Sequence, residues 1–285
     1  MIDLHAIRYV RLGTPDPEAA AAFCTDIVGL QRIRQRDDAI YLRSDNRDHT
    51  LVYFDGDPRD HATAFEMRSM EALEGAARTL EEAGRPVRWG SDAECEARYV
   101  VAFLEFSDPT GNRIELVWRP LHSGWRYFPG RDAGITGFSH IGLRSADPRR
   151  DERFWTGVMG ARVSDWIGHA PLLRIDEVHH TVALFPSDHP GVQHINHQVE
   201  SIDDIMRSWY FLSGRDIPIT FGPGRHPTSS AMFLYFEGPD GMVFEYSSGV
   251  RTITDEANHQ PRQFPFEPAG FCMWGSRPNI REFDT

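Results

Sequence analysis

Three side chains suited to a divalent metal, His140, His194 and Glu245, each stand amid apolar neighbours on a separate short stretch of this sequence. A polar group in such a setting is costly to bury without a partner. Two neutral imidazoles and one carboxylate on a single face would leave up to three positions of an octahedral ion open. That donor set suits non-haem Fe(II) and O2 activation, and it also accepts Mn(II). Zinc more commonly takes a tetrahedral set with cysteine or a third histidine, so iron is the favoured reading. The chain has 13 histidines, and a lone one is by default a surface or core imidazole. An internal comparison lifts these residues above that default. Asp16-Pro17 recurs as Asp147-Pro148, Phe23 as Phe154, Gly29 as Gly160, and His49-Thr50 as His180-Thr181, at one constant interval. The endings Phe106 to Glu115 and Phe236 to Glu245 also match. Where the second copy has His140, His194 and Glu245, the first has Tyr9, Ala62 and Glu115. Only the second copy can assemble the metal set, and Glu115 is expected to be structural.

The elements that must position these residues follow from periodicity and caps. Gly137 to Leu143 reads as a strand carrying His140, and Asp147-Pro148 opens a helix with Phe154, Trp155 and Val158 on its apolar side, ended by Gly160. Ala170 to Ile175 and His180 to Phe185 read as strands. Residues 193 to 199 read as a further strand, and a helix over 201–212 begins at Ser201 with Asp203 and Asp204 as favourable charge in its first turn. Two strands flank the turn Gly238-Pro-Asp-Gly241. The fold class is α+β: two tandem modules, each of paired βαβββ units forming a curved mixed sheet around a central cavity. Residues 1–118 form a module without a metal site, 119–136 a Pro- and Gly-bearing linker, 137–249 the catalytic module, and 250–285 a tail. The tail's Phe271-Cys-Met-Trp-Gly275 is expected to pack back on a module, since exposing Phe and Trp together is costly. Strand alternation sends His197 to the face opposite His194, and His179 away from His180.

Bulk properties narrow the function classes. Lys and Arg number 30 against 42 Asp and Glu, a net charge of -12, which disfavours nucleic acid and anionic membrane surfaces as partners. Cys24, Cys95 and Cys272 are odd in number and far apart, so neither a disulfide framework nor a thiolate metal site is indicated. With no apolar run of spanning length and no signal-like start, the expectation is a cytoplasmic protein.

From Gly137 to Trp274 the sequence resembles the type I extradiol ring-cleavage dioxygenases of the vicinal oxygen chelate (glyoxalase/bleomycin resistance/dioxygenase) superfamily, and the two-module plan extends that resemblance over nearly the whole chain. The most specific element is Gly224-Arg-His226, a short spacer, Leu234-Tyr235, then Pro239-Asp-Gly241 and Glu245. His179-His180-Thr181, the stretch with His194, and Met273-Trp274-Gly275 are also similar to family elements. Gly238 departs from the acidic, amide or small residue common before the proline, but glycine suits a turn. The resemblance implies an Fe(II) enzyme with O2 as co-substrate and a small catecholic substrate, assembled as a homo-oligomer. His140, His194 and Glu245 would hold the metal and His180 would act as acid and base. Tyr235 would donate a hydrogen bond to the deprotonated substrate oxygen, and His226 would contact the substrate or an intermediate. For the ring, Trp166, Trp209, Tyr210, Phe211 and Phe233 offer aromatic surface, most of it expected in the core. The alternatives are a glyoxalase- or epimerase-like metal enzyme of the same superfamily and a non-catalytic aromatic-binding protein.

Overall fold

The computed structural model describes residues 1–284. In its second half, strand Ile135–Ser145, helix Pro148–Gly157 and strands Arg162–Ile167, Ala170–Arg174 and Val182–Pro186 form one βαβββ unit. Strand Val192–Val199, helix Ile202–Ser213 and strands Ile219–Arg225, Met232–Glu237 and Val243–Ser248 form the next. Local chemistry explains the boundaries. The Asp147 carboxylate accepts the Arg150 amide at the start of the first helix, with Pro148 in its first turn. At the second helix Asp204 accepts the backbone N–H of Ser201 at 3.0 Å. One boundary departs from expectation: the strand foreseen from His180 begins only at Val182, and residues 176–181 are irregular.

Ile135–Ser145 and Val192–Val199 lie antiparallel in the middle of a nine-stranded sheet, flanked by Val182–Pro186 and Val243–Ser248, each parallel to its neighbour. Twist curls a sheet of this width, so the two halves face one another across a concave side. The ninth strand is Arg262–Phe264 from the tail, parallel to Arg162–Ile167. The first sheet has eight strands in the corresponding order, but a helix, Asp92–Arg98, interrupts its second unit before strand Ala102–Ser107.

One apolar core runs through both modules, with Trp155 edge-on to Phe65 of the first sheet at 5.7 Å. A second cluster lines the concave side of the second sheet, where Phe185, Phe221, Phe233 and Tyr235 meet Phe271, Ile280 and Phe283 of the tail. The tail therefore packs back as expected, but only in part. Phe271 and Cys272 are buried, whereas Met273 and Trp274 remain 63% and 51% exposed. Among the described residues no helix is long and apolar enough to cross a membrane.

Candidate active site

Strand register brings three donors together. His194 pairs across from Gly142 on one side and beside Val243 on the other, while Asn196, two residues on, faces His140 and Glu245. His140, His194 and Glu245 are all buried, and one ligand atom from each lies within 4.8 Å of the others. His140 Nε2 is 3.1 Å from His194 Nε2 and 2.9 Å from Glu245 Oε2, which is 3.5 Å from His194 Nε2. Neighbouring ligands around an ion with bonds of about 2.1 Å are separated by about 3 Å, so the spacing fits a facial set. Glu245 Oε2 is buried yet makes no hydrogen bond despite this proximity.

The protonation states suit a cation. His194 donates Nδ1–H to Gln193 Oε1, which leaves Nε2 as a lone pair directed into the cluster, the supporting contact expected of a metal-binding histidine. Burial pushes the His194 imidazole down to about 3. Burial pushes the Glu245 carboxyl up, but His140, His226 and His194 outweigh it and hold the group well below its ordinary value. At neutral pH the cluster thus offers a neutral imidazole and a carboxylate, the deprotonated donors that metal binding requires.

His180, Tyr235 and His226 surround this cluster. The His180 ring packs on His140 at 4.1 Å between centroids, and burial, with His140 and His179 adding to it, holds its pKa well below the ordinary value. Tyr235 lies opposite Glu245 in register. Burial and the adjacent carboxylate raise the phenol pKa, so Tyr235 keeps its O–H. His226 stacks on Phe233 at 3.9 Å and donates Nδ1–H to the Phe271 carbonyl at 2.8 Å. Its Nε2 then accepts from the Tyr235 hydroxyl at 3.2 Å. The structure brings all six residues singled out in the sequence into one place.

Other residues lie elsewhere or differ from expectation. His197 sits on the opposite face between Phe138 and Phe244, with neither ring nitrogen hydrogen bonded. His179 was separated from His180 by strand alternation, but no strand runs through these residues. It stands edge-on to His180 at 5.2 Å, the two Nδ1 atoms 3.0 Å apart, and its Nε2 reaches Asp165. Asp165 escaped the sequence reading, although the repeat carried a signal: Arg34 and Asp48, at the matching positions of the first module, pair with each other. Of the aromatic residues considered for the ring, Phe233 lines the concave cluster, whereas Trp209 and Tyr210 are exposed on the helix Ile202–Ser213. In the first module Glu115 accepts from the Tyr9 hydroxyl at 2.7 Å and from the Arg98 guanidinium at 2.7 and 2.9 Å. The inserted helix supplies Arg98, so a resident cation neutralises the carboxylate there.

The Glyoxalase/Bleomycin resistance protein/Dioxygenase superfamily matches residues 6–116 and, a second time, 137–246. The chain belongs to this superfamily. A 1,2-dihydroxynaphthalene dioxygenase of Sphingobium xenophagum is 26% identical over 88% of this chain and 90% of its own length. A biphenyl-2,3-diol 1,2-dioxygenase of Pseudomonas sp. (strain KKS102) is 28% identical over 88% of this chain and 92% of its own. An iron-dependent extradiol dioxygenase of Rhodococcus jostii (strain RHA1) is 24% identical over 96% and 97%. Among solved structures, a halotolerant catechol dioxygenase superposes with a TM-score of 0.88 at 24% identity, covering 99% of this chain and 97% of that one. A Mn(II)-bound glyoxalase from Novosphingobium aromaticivorans superposes with a TM-score of 0.86 at 26% identity, covering 100% and 95%.

Proposed function

We propose that this protein is an Fe(II)-dependent extradiol dioxygenase, which opens a catecholic ring beside rather than between its two hydroxyls. Both atoms of O2 would enter a muconic semialdehyde-type product, in the breakdown of aromatic compounds. The observation that carries the reading is the set of His140, His194 and Glu245 drawn from one module, with His180 on one flank and Tyr235 and His226 on the other. A ferrous ion held by these three would act as a Lewis acid for both catechol oxygens and activate O2; Mn(II) suits the same donors. The remaining work falls to the protein. Neutral His180 takes the catechol proton and returns it later in the reaction. Tyr235, kept as O–H, turns its single hydroxyl hydrogen from His226 Nε2 to the deprotonated oxygen, and His226, released from that bond, contacts the substrate or an intermediate. Phe185, Phe221 and Phe283 form an apolar wall that accepts the ring and excludes water.

A metal-dependent, oxygen-independent isomerase is the second reading, favoured by the likeness to the Mn(II)-bound glyoxalase. Against it, all three donors come from one module, and the matching place in the other is filled by Arg98 and Glu115. The test is to load anaerobically purified protein with Fe(II), mix it with a panel of catechols and admit air. O2 uptake with a yellow product is expected on at least one. Metal-dependent catechol binding with no O2 consumed across the panel would turn the assignment to the second reading.

A further inference from the structure

Behind His180, on the side away from the donor cluster, runs a buried chain of hydrogen bonds. Its first link is Asp165, which accepts from His179 Nε2 at 2.9 Å, from the Arg251 guanidinium at 2.9 Å, and from the Arg262 backbone N–H and guanidinium at 2.7 Å each. Arg262 also donates to the Thr228 carbonyl at 2.6 Å. Both Asp165 and His179 are completely buried. Burial alone would raise the Asp165 carboxyl, but His179 and Arg262 bring it down to about 2, so it stays ionised.

The hydrogens along this chain follow by elimination. An ionised carboxylate only accepts, so Nε2 of His179 carries a hydrogen. Burial pushes His179 down to about 4; the ring is neutral and its Nδ1 is a bare acceptor. The hydrogen in the 3.0 Å contact between the two Nδ1 atoms therefore belongs to His180. That leaves His180 Nε2 as a lone pair, and among the described residues it has no hydrogen-bond partner. The first module holds the same ring nitrogen by shorter means: Asp48, clamped by Arg34, lies 3.1 Å from Nδ1 of His49. In the second module the carboxylate stands one imidazole further back.

We infer that Asp165 and His179 are positioning residues that fix the ring and the tautomer of His180, so that its Nε2 meets the substrate as a bare base. The substrate's identity rests on the oxygenase reading above; the hydrogen-bond chain does not. The direct measurement is nitrogen NMR of the full chain labelled with 15N-histidine and loaded with zinc(II) as a diamagnetic probe. Nε2–H on His179 and Nδ1–H on His180 are expected, and Nε2–H on His180 would overturn the inference. Asp165→Ala supplies the kinetic arm. One oxygen, Oδ2, accepts from His179 and from both guanidiniums, so removing the carboxylate leaves those guanidiniums to donate to His179 Nε2, which inverts both tautomers. With Fe(II), kcat on the catechol found active should fall by about 10²-fold or more, with KM and iron content little changed and partial recovery in Asp165→Glu. Unchanged kcat or unchanged tautomers in Asp165→Ala would overturn it. Should that variant not fold, the tautomers of the unaltered chain decide alone. If those are as assigned but no catechol consumes O2, the oxygenase reading falls and the positioning chain stands.

Discussion

At His194 the Nε2 lone pair points into the cluster because Gln193 holds the hydrogen on Nδ1, whereas His180 only packs beside a donor. His194→Ala should therefore abolish iron retention, while His180→Ala should keep iron and lower kcat by about 10²- to 10⁴-fold. Metal analysis after anaerobic gel filtration separates the two, and equal iron loss would sink this division of roles. Tyr235→Phe keeps the aromatic wall and removes one donor to a charged oxygen, an interaction of about 1.5–3 kcal/mol. A fall of about 10- to 100-fold in kcat/KM at unchanged iron content is expected in steady-state assays. The donors themselves were legible in the sequence, because subtracting one copy of the repeat from the other isolates two histidines. His179 and Asp165 were not. Alternation governs side chains only within a strand, and residues 176–181 leave it; the cations that keep Asp165 ionised come from a distant tail.

Strand pairing sets the candidate metal site as firmly as the donors do. A Cβ at Gly142, directly across from His194, would lie 2.4 Å from its Nδ1 and 2.7 Å from Gln193 Oε1. Both atoms belong to a packed seam, so Gly142→Ala must displace the ring. Coordination tolerates shifts of only about 0.2 Å, and the expected loss is about 10- to 100-fold in metal affinity, the range for disturbing a ligand's support. Competition against a chelator measures it. Gly157→Ala, with nothing within 4 Å of the added atom, is the control and should bind metal normally; equal weakening in both would refute the steric account. The βαβββ order was readable because Asp147-Pro148 and Ser201 announce helices and branched runs announce strands. Strand Arg262–Phe264 was not, since three largely exposed residues carry no periodicity. Nor was helix Asp92–Arg98, which the repeat contradicts.

Across the whole molecule, the seam between modules meets the site through His61. Its Nδ1 accepts the backbone N–H of Val192 at 2.9 Å, two residues before His194 on the same strand, and its Nε2–H donates to the Pro58 carbonyl at 2.6 Å. Asn112 adds a second tie, accepting from the Gly191 N–H at 2.7 Å and donating to the Arg144 carbonyl at 2.9 Å. Both nitrogens of neutral His61 are thus in use, and a second hydrogen would have to sit on Nδ1, against the N–H of Val192. Burial accordingly pushes His61 from 6.5 down to about 4. For a base depressed in the folded state, the unfolded chain takes the proton first as pH falls. The stabilisation is whole above pH 6.5 and is lost progressively towards pH 4, by about 3 kcal/mol. His179 and His197, also brought down to about 4, contribute with the same sign, so the informative quantity is a difference between two proteins. In His61→Asn the side-chain oxygen can still accept the Val192 N–H but does not titrate. Urea unfolding at pH 7.5, 6 and 5 should show this variant losing less stability on acidification than the unaltered chain; identical pH slopes would remove His61 from the account. Because Val192 opens the strand that carries His194, metal release should begin at a higher pH than unfolding, and the gap between the two should narrow in His61→Asn.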